Sequence, residues 1–322
     1  MAGSVIWLAA PFLVNRRQPI KSSAAPAPLR EDVAVIKVRP MTHDDVPAVA
    51  ETWSEAWRTM RGVHGLAVEP PTAESVRRLE ARIAHVLGTD PAGSWVAEAD
   101  DGRITGLAQA LVREDLWVLS LLAVAPDCQE KGTGKALLDE ALVYGTDVPV
   151  GMIFSSRDPR AMRRYVRAGF DLHPSLTAMG CVDRRQLGAL PDVRQGSSAD
   201  LGLVADLDRR LRGGFHGPDI EHLLGQGCRL LVLDDSGYAL TRGGSPVFLA
   251  AEGEEGASEL LRACLLEATD DEVVELLWIT NAQQWAIRVA LDAALVLSPA
   301  GPVMTRGIPG PPACYLPSGA YG

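Results

Sequence analysis

The sequence lacks the marks of several large protein classes. Its five cysteines, Cys128, Cys181, Cys228, Cys264 and Cys314, stand apart with no C-x-x-C pair, so neither a zinc site nor a disulfide framework is expected. The six histidines are scattered, and His216 and His222 have no partner at metal-ligand spacing; no metal is expected. There is no basic run, and the formal charge is −10, which argues against nucleic acid as a partner. No apolar run reaches the roughly 18 residues that a membrane span needs. The most apolar N-terminal stretch, VIWLAAPFLV at residues 5–14, has no basic segment before it, contains Pro11 and is followed by Arg16 and Arg17, a poor match to an export signal. Residues 1–30 are read as a disordered leader, and the protein as cytoplasmic, without a membrane partner.

What the sequence does have is length and a patterned centre. Its 322 residues suffice for two domains of ordinary size. Residues 116–124 (LWVLSLLAV) are apolar apart from Ser120, the pattern of a short strand buried on both faces. Ala125, Pro126 and Asp127 end it. After Gln129-Glu130-Lys131-Gly132-Thr133-Gly134, a helical pattern begins, with Leu137, Leu138, Ala141 and Leu142 along one stripe. Glycines allow close approach to the backbone, and the first N–H groups of a helix have no partners within it. Such a strand–loop–helix unit suits phosphate oxygens, and Lys131 and Lys135 flank it.

The spacing distinguishes three families of glycine loop. A P-loop requires glycine at 129 and a hydroxyl residue at 136, where Gln129 and Ala136 stand. The dinucleotide fingerprint requires a small residue where Leu137 stands. Gln129-x-x-Gly132-x-Gly134 after a buried strand resembles the acetyl-CoA motif of the GNAT superfamily of acyl-CoA-dependent N-acyltransferases. Ala161-x-x-x-Tyr165-x-x-x-Gly169-Phe170 is similar to that family's segment in which a tyrosine faces the thioester sulfur. Asp158 stands where many members carry Asn, and either residue caps a helix. The order of expected elements over residues 33–182, β-α-α-β-β-β-α-β-α-β-β, resembles the GNAT topology.

The rest of the chain reads as a worn second copy. Arg39, Thr42 and Asp45 have counterparts in Arg194, Ser197 and Asp200, and Ala168-Gly169-Phe170-x-Leu172-x-Pro174 in Ala293-Ala294-Leu295-x-Leu297-x-Pro299. The fold class expected is α/β, two tandem GNAT-like domains, each a twisted mixed sheet flanked by helices. Residues 33–182 would be the catalytic domain, 183–192 a linker, 193–306 the degenerate copy and 307–322 a tail rich in Pro and Gly. Setting Gly256 against Gly132 places Glu255 and Glu259 opposite Lys131 and Lys135, and the match of Gly169 to Ala294 places Ala290 opposite Tyr165. Like charges repel a phosphate, so only the first copy is expected to bind acetyl-CoA.

The resemblance implies specific roles. Backbone groups of Leu122, Ala123 and Val124 would take the pantetheine arm as an added strand. Gln129, Glu130, Lys131, Gly132, Thr133, Gly134 and Lys135 would hold the pyrophosphate, and Tyr165 would protonate the leaving thiolate. The co-substrate would be acetyl-CoA and the acceptor the amine of a small molecule. An alkyl ammonium is about one part in a thousand neutral at pH 7, so a base or a water chain is needed. Some members carry a glutamate where Ser120 stands; Glu98, Glu114 and Asp115 are the acidic residues at nearby strand ends, and none is singled out. A non-catalytic acyl-CoA sensor and a protein N-terminal or lysine acetyltransferase remain as alternatives. The sequence leaves the oligomeric state open.

Overall fold

In the computed structural model, residues 37–63, 70–188 and 192–322 are described; the expected leader at residues 1–30, Val33, Val35 and Ile36 of the expected first strand, and part of the expected linker lie outside them. The first half runs β1 (Lys37–Pro40), α1 (Val46–Val63), α2 (Ala73–Thr89), β2 (Ser94–Glu98), β3 (Ile104–Arg113), β4 (Leu116–Val124), α3 (Thr133–Tyr144), β5 (Val150–Phe154), α4 (Pro159–Arg167), β6 (Asp171–His173) and β7 (Ser175–Cys181). Helix ends follow local chemistry. Thr72 Oγ1 accepts from Ser75 N at 3.1 Å at the start of α2. Asp158 accepts from Arg160 N at 2.8 Å at the start of α4, ahead of Pro159, the cap the sequence suggests.

The second half runs β8 (Arg194–Gln195), α5 (Leu201–Leu211), α6 (Pro218–Gly225), β9 (Arg229–Leu233), β10 (Gly237–Arg242), β11 (Ser245–Ala251), α7 (Glu254–Leu265), β12 (Val273–Thr280), α8 (Gln284–Asp292), β13 (Val296–Pro299), β14 (Val303–Arg306) and β15 (Tyr315–Leu316). The repeat is visible in hydrogen bonds. Asp45 accepts from Thr42 N at 2.8 Å and pairs with Arg39; Asp200 accepts from Ser197 N at 2.8 Å and pairs with Arg194. Arg39 holds Asp45 down to about 2. At the other end, Phe170 N and Leu295 N donate to Tyr165 O and Ala290 O, five residues back in each case. Gly169 (φ 87°) and Ala294 (φ 61°) occupy the same left-handed position. Glycine holds that conformation without strain, whereas alanine is strained there.

Strand pairing crosses between the halves. One sheet has the order β1-β2-β3-β4-β5-β14-β6, antiparallel except for the parallel pair β4–β5. Strand β14, from the second half, thus separates β5 from β6. In return β7 leaves the first half and becomes the centre of β12-β7-β13, while β15-β11-β10-β9-β8 forms the third sheet. The apolar cores are correspondingly shared: Leu116, Val118 and Met152 pack in one cluster with Val204, Val232, Phe248 and Tyr321. The Pro- and Gly-rich residues 307–322 are folded into the body, with Tyr315 and Tyr321 buried.

The two faces of the first sheet differ. Leu121 shares a cluster with Val49, Ile83 and Leu87 of α1 and α2. Trp117 and Leu119 share one with Leu137 and Leu138 of α3 and with Tyr165 of α4. No helix among the described residues is long and apolar enough to cross a membrane.

Candidate active site

Strands β4 and β5 pair in parallel from Leu116↔Val150 to Leu119↔Ile153, and the ladder stops there. Beyond that point β4 remains paired on its other side with β3, through Leu122↔Ala108, Ala123↔Leu107 and Val124↔Gly106. Leu122, Ala123 and Val124 therefore border an opening between the two strands. The β3–β4 register shifts because Gln109 faces Leu121 while Ala110 faces Leu119, which makes Ser120 the extra residue of a bulge. Bulges re-aim backbone groups and cluster at functional sites. The Ser120 hydroxyl is enclosed without a partner, and its carbonyl accepts from Arg82 Nη2 at 3.2 Å.

The loop after β4 is braced from two sides. Gln129 Nε2 donates to Val124 O at 3.1 Å, and Gln129 Oε1 accepts from Arg160 Nη2 at 2.8 Å. Arg160 also reaches Glu130 Oε1 at 3.3 Å. Glu130 (φ 69°) and Gly132 (φ 89°) turn the chain into α3. Lys135 N and Ala136 N donate to Gly132 O; the N–H groups of residues 131–134 have no acceptor among the described residues. Thr133 Oγ1 is likewise enclosed and unpartnered. A Cβ on Gly132 would meet nothing within 4 Å, so this side of the loop is open. Gly134 is different. Its missing Cβ leaves room for Arg164, whose Nη1 would lie 2.4 Å away, so it serves close packing rather than an open approach. Lys131 and Lys135 are exposed, and Lys135 pairs with Asp139 at 2.5 Å. The enclosed hydroxyl, free N–H groups and lysines make a donor set that fits phosphate oxygens.

Tyr165 lies on the α3–α4 side, buried beside Trp117, Leu119 and Phe170. Burial pushes its hydroxyl well above the ordinary tyrosine value, with Arg164 opposing, so it keeps its proton at neutral pH. Two of the acidic residues weighed as bases are engaged elsewhere. Glu98 is bonded to Arg39. Glu114 pairs with Arg209 at 2.8 Å and accepts from Phe215 N, and Arg209 holds it below the usual carboxylate range. Glu114 and Asp115 also sit in the β3–β4 turn, at the end of β4 away from the loop. Among the described residues, no group of three or more His, Cys, Asp and Glu side chains is placed to hold a metal.

The second half has no equivalent loop, which corrects the match of Gly256 to Gly132. Residues 125–132 join β4 to α3, whereas only residues 252 and 253 join β11 to α7. Gly256 lies inside the first turn of α7. The edge of β11 is filled as well: Leu249 and Ala250 pair with Leu316 and Tyr315 of β15. By the register of the flanking pairs Gly106↔Val124 and Gly237↔Ala251, this is the stretch corresponding to the open residues 122–124. The halves meet over a small apolar recess lined by Met152, Phe154, Trp278, Val303 and Tyr315. Trp278, at a bulge in β12 with φ 51°, packs edge-on against Phe154 at 5.4 Å.

The resemblance implies a bulge in this strand whose N–H meets the carbonyl oxygen, and the register places a bulge at Ser120; the sequence does not single out the Arg160 brace, Arg82 or Trp278, because long-range contacts leave no periodic signal.

Residues 49–170 match the sequence profile of the acetyltransferase (GNAT) family. No curated protein matches the chain. Among solved structures, a candidate acetyltransferase from Pyrococcus horikoshii superposes with a TM-score of 0.71 at 17% identity, covering 89% of this chain and 96% of that one. A GCN5-related N-acetyltransferase from Sphaerobacter thermophilus gives 0.54 at 15% identity, covering 87% and 98%. A tandem GNAT protein from the clavulanic acid biosynthesis pathway gives 0.54 at 15%, covering 86% and 100%. At these identities the likeness establishes the fold, including the tandem arrangement.

Proposed function

We propose that this chain, residues 49–170 of which match the acetyltransferase (GNAT) family profile, is a cytoplasmic enzyme that moves an acetyl group from acetyl-CoA to the amine of a small molecule, by direct attack on the thioester and without a metal. The observation that carries the reading is the opening between β4 and β5, bordered by Leu122, Ala123 and Val124, with a phosphate-fitting loop at its mouth. In this reading the amine nitrogen bonds to the acetyl carbon as the carbon–sulfur bond breaks. An N–H freed by the Ser120 bulge faces the carbonyl oxygen, Tyr165 gives its proton to the departing sulfur, and Gln129–Lys135 hold the pyrophosphate. Water takes the amine's proton, since Glu98 and Glu114 are ion-paired.

Incubating the protein with acetyl-CoA and a panel of amines, and following free thiol, tests this directly. Tyr165→Phe should cost about ten- to a hundredfold in kcat, or about 1.4–2.7 kcal/mol, and leave acetyl-CoA binding nearly intact. Because burial raises the tyrosine above its ordinary value, the wild type should hold its proton, and its rate, through pH 9. A variant as fast as wild type on the true acceptor makes Tyr165 a packing residue. Calorimetric titration should give one acetyl-CoA per chain, as the missing loop and the strand against β11 require; a value near two refutes that. The second reading is a sensor that binds acyl-CoA without turnover. The hydroxyl at Ser120 and the ion-paired glutamates favour it, and binding without thiol release from any amine is its signature.

A further inference from the structure

On the α1–α2 side of the opening, one arginine carries positive charge that no carboxylate among the described residues answers. Arg78, Arg82 and His85 follow one face of α2. Arg78 is paired with Glu74, and His85 Nε2 meets Asp219 at 2.7 Å. Arg82 has no carboxylate partner among the described residues. Its Nη2 touches the bulge carbonyl of Ser120 at 3.2 Å, and its Nε is enclosed with no acceptor. Across from α2, Arg242 of β10 is similar: its Nη2 reaches Gln226 O at 3.3 Å and Cys228 Sγ at 3.1 Å, while Nε is enclosed and unpartnered. Tyr321 links the two. Burial pushes its hydroxyl up to about 12, and both Arg82 and Arg242 pull against that.

The other groups here do not neutralise them. Asp219 is buried and takes two bonds of 2.7 Å from Arg113 besides that from His85. His222 stacks on His85 at 4.2 Å, and burial brings it down to about 4, so it is neutral. A guanidinium stays charged in a protein, and a charge withdrawn from water needs a counter-charge. Two such arginines in a chain of net charge −10, one touching the bulge, call for an anion from outside.

We propose that the acceptor is an anionic amine, whose carboxylate or phosphate is held by Arg82 with Arg242 behind it. This rests on the acetyl-transfer reading. Because Arg82 touches the strand at the bulge itself, the anion and the reacting nitrogen belong to one compact molecule.

The test compares matched acceptors, phosphoethanolamine against ethanolamine and 4-aminobutyrate against butylamine, on wild type, Arg82→Gln and Arg82→Lys. The anionic member of at least one pair should be preferred at least tenfold in kcat/KM. Arg82→Gln should abolish the preference through KM, leave acetyl-CoA binding unchanged, and be partly rescued in Arg82→Lys. Which pair responds separates carboxylate from phosphate. A second readout needs no turnover: inorganic phosphate, added to CoA-saturated protein against sodium chloride at equal ionic strength, should raise the melting temperature of wild type and not of Arg82→Gln. If phosphate does this and no amine is acetylated, the anion site stands and the acetyl-transfer reading falls. If neutral amines react as well as anionic ones and phosphate has no effect, the anion site is overturned while acetyl transfer stands. Arg82→Gln slowing both members of each pair alike would make Arg82 a brace for the bulge and overturn the proposal too.

Discussion

Expressed alone, residues 1–190 are expected to be insoluble or inactive. The fragment would contain every motif of the proposed site in name only, because its sheet is completed from elsewhere. Without Val303–Arg306, β5 loses its antiparallel neighbour and β6 is detached from the sheet. Strand β7 loses both partners, β12 and β13. Leu111, Leu116, Val118 and Met152, buried against the second half, would face water. At about 1.5–3 kcal/mol for each large apolar side chain, that is about 6–12 kcal/mol, the size of a typical domain's entire stability of about 5–15 kcal/mol. Soluble yield, circular dichroism and thiol release measure the outcome. A soluble, fully active fragment would show that the strand exchange is dispensable.

Gly132→Asp is expected to abolish acetyl-CoA binding while the fold survives. A Cβ at this position meets nothing within 4 Å, so there is no clash to unfold the protein. The change acts in two other ways. At φ 89° a side chain strains the turn by about 1–2 kcal/mol, and the carboxylate stands among the N–H groups offered to phosphate. At about 4 Å and an effective dielectric near 20, repulsion between unit charges is about 4 kcal/mol, or about a thousandfold in affinity. Gly132→Ala isolates the strain and should lose about tenfold. Calorimetry on both variants, with melting curves as the control for folding, separates the two effects. Unchanged affinity in Gly132→Asp would reduce the loop to a turn.

The first half was legible because its signals are local. Apolar continuity marked β4, glycine spacing marked the loop, and a three- and four-residue stripe marked α3. The repeat was legible at its ends, where the Arg39–Asp45 and Arg194–Asp200 pairs and the matched turns at Gly169 and Ala294 are fixed by short-range geometry. The middle of the second half was not. Gly256 resembles a loop glycine until the strand before it and the helix around it are seen to leave only two linking residues. Strand β14 is four residues long and pairs with segments about 130–150 residues earlier; nothing in VMTR names its partners. In the sequence Ser120 stands only where some members carry a glutamate; its place at the bulge depends on the β3 register. Arg82 is one more polar residue on a helix in the sequence; that no carboxylate among the described residues pairs with it depends on the fold.

The exchanged strands also decide how the molecule can move. Domains joined by a single linker open and close about it as a hinge. Here β7 is laced into the second half and β14 into the first, so a hinge opening would have to break ladder hydrogen bonds in two sheets at once. Large rigid-body excursions are therefore closed off, and ligand traffic falls to loops and side chains, Trp278 among them. Turnover in such a body would be gated by small local motions around a frame that stays shut.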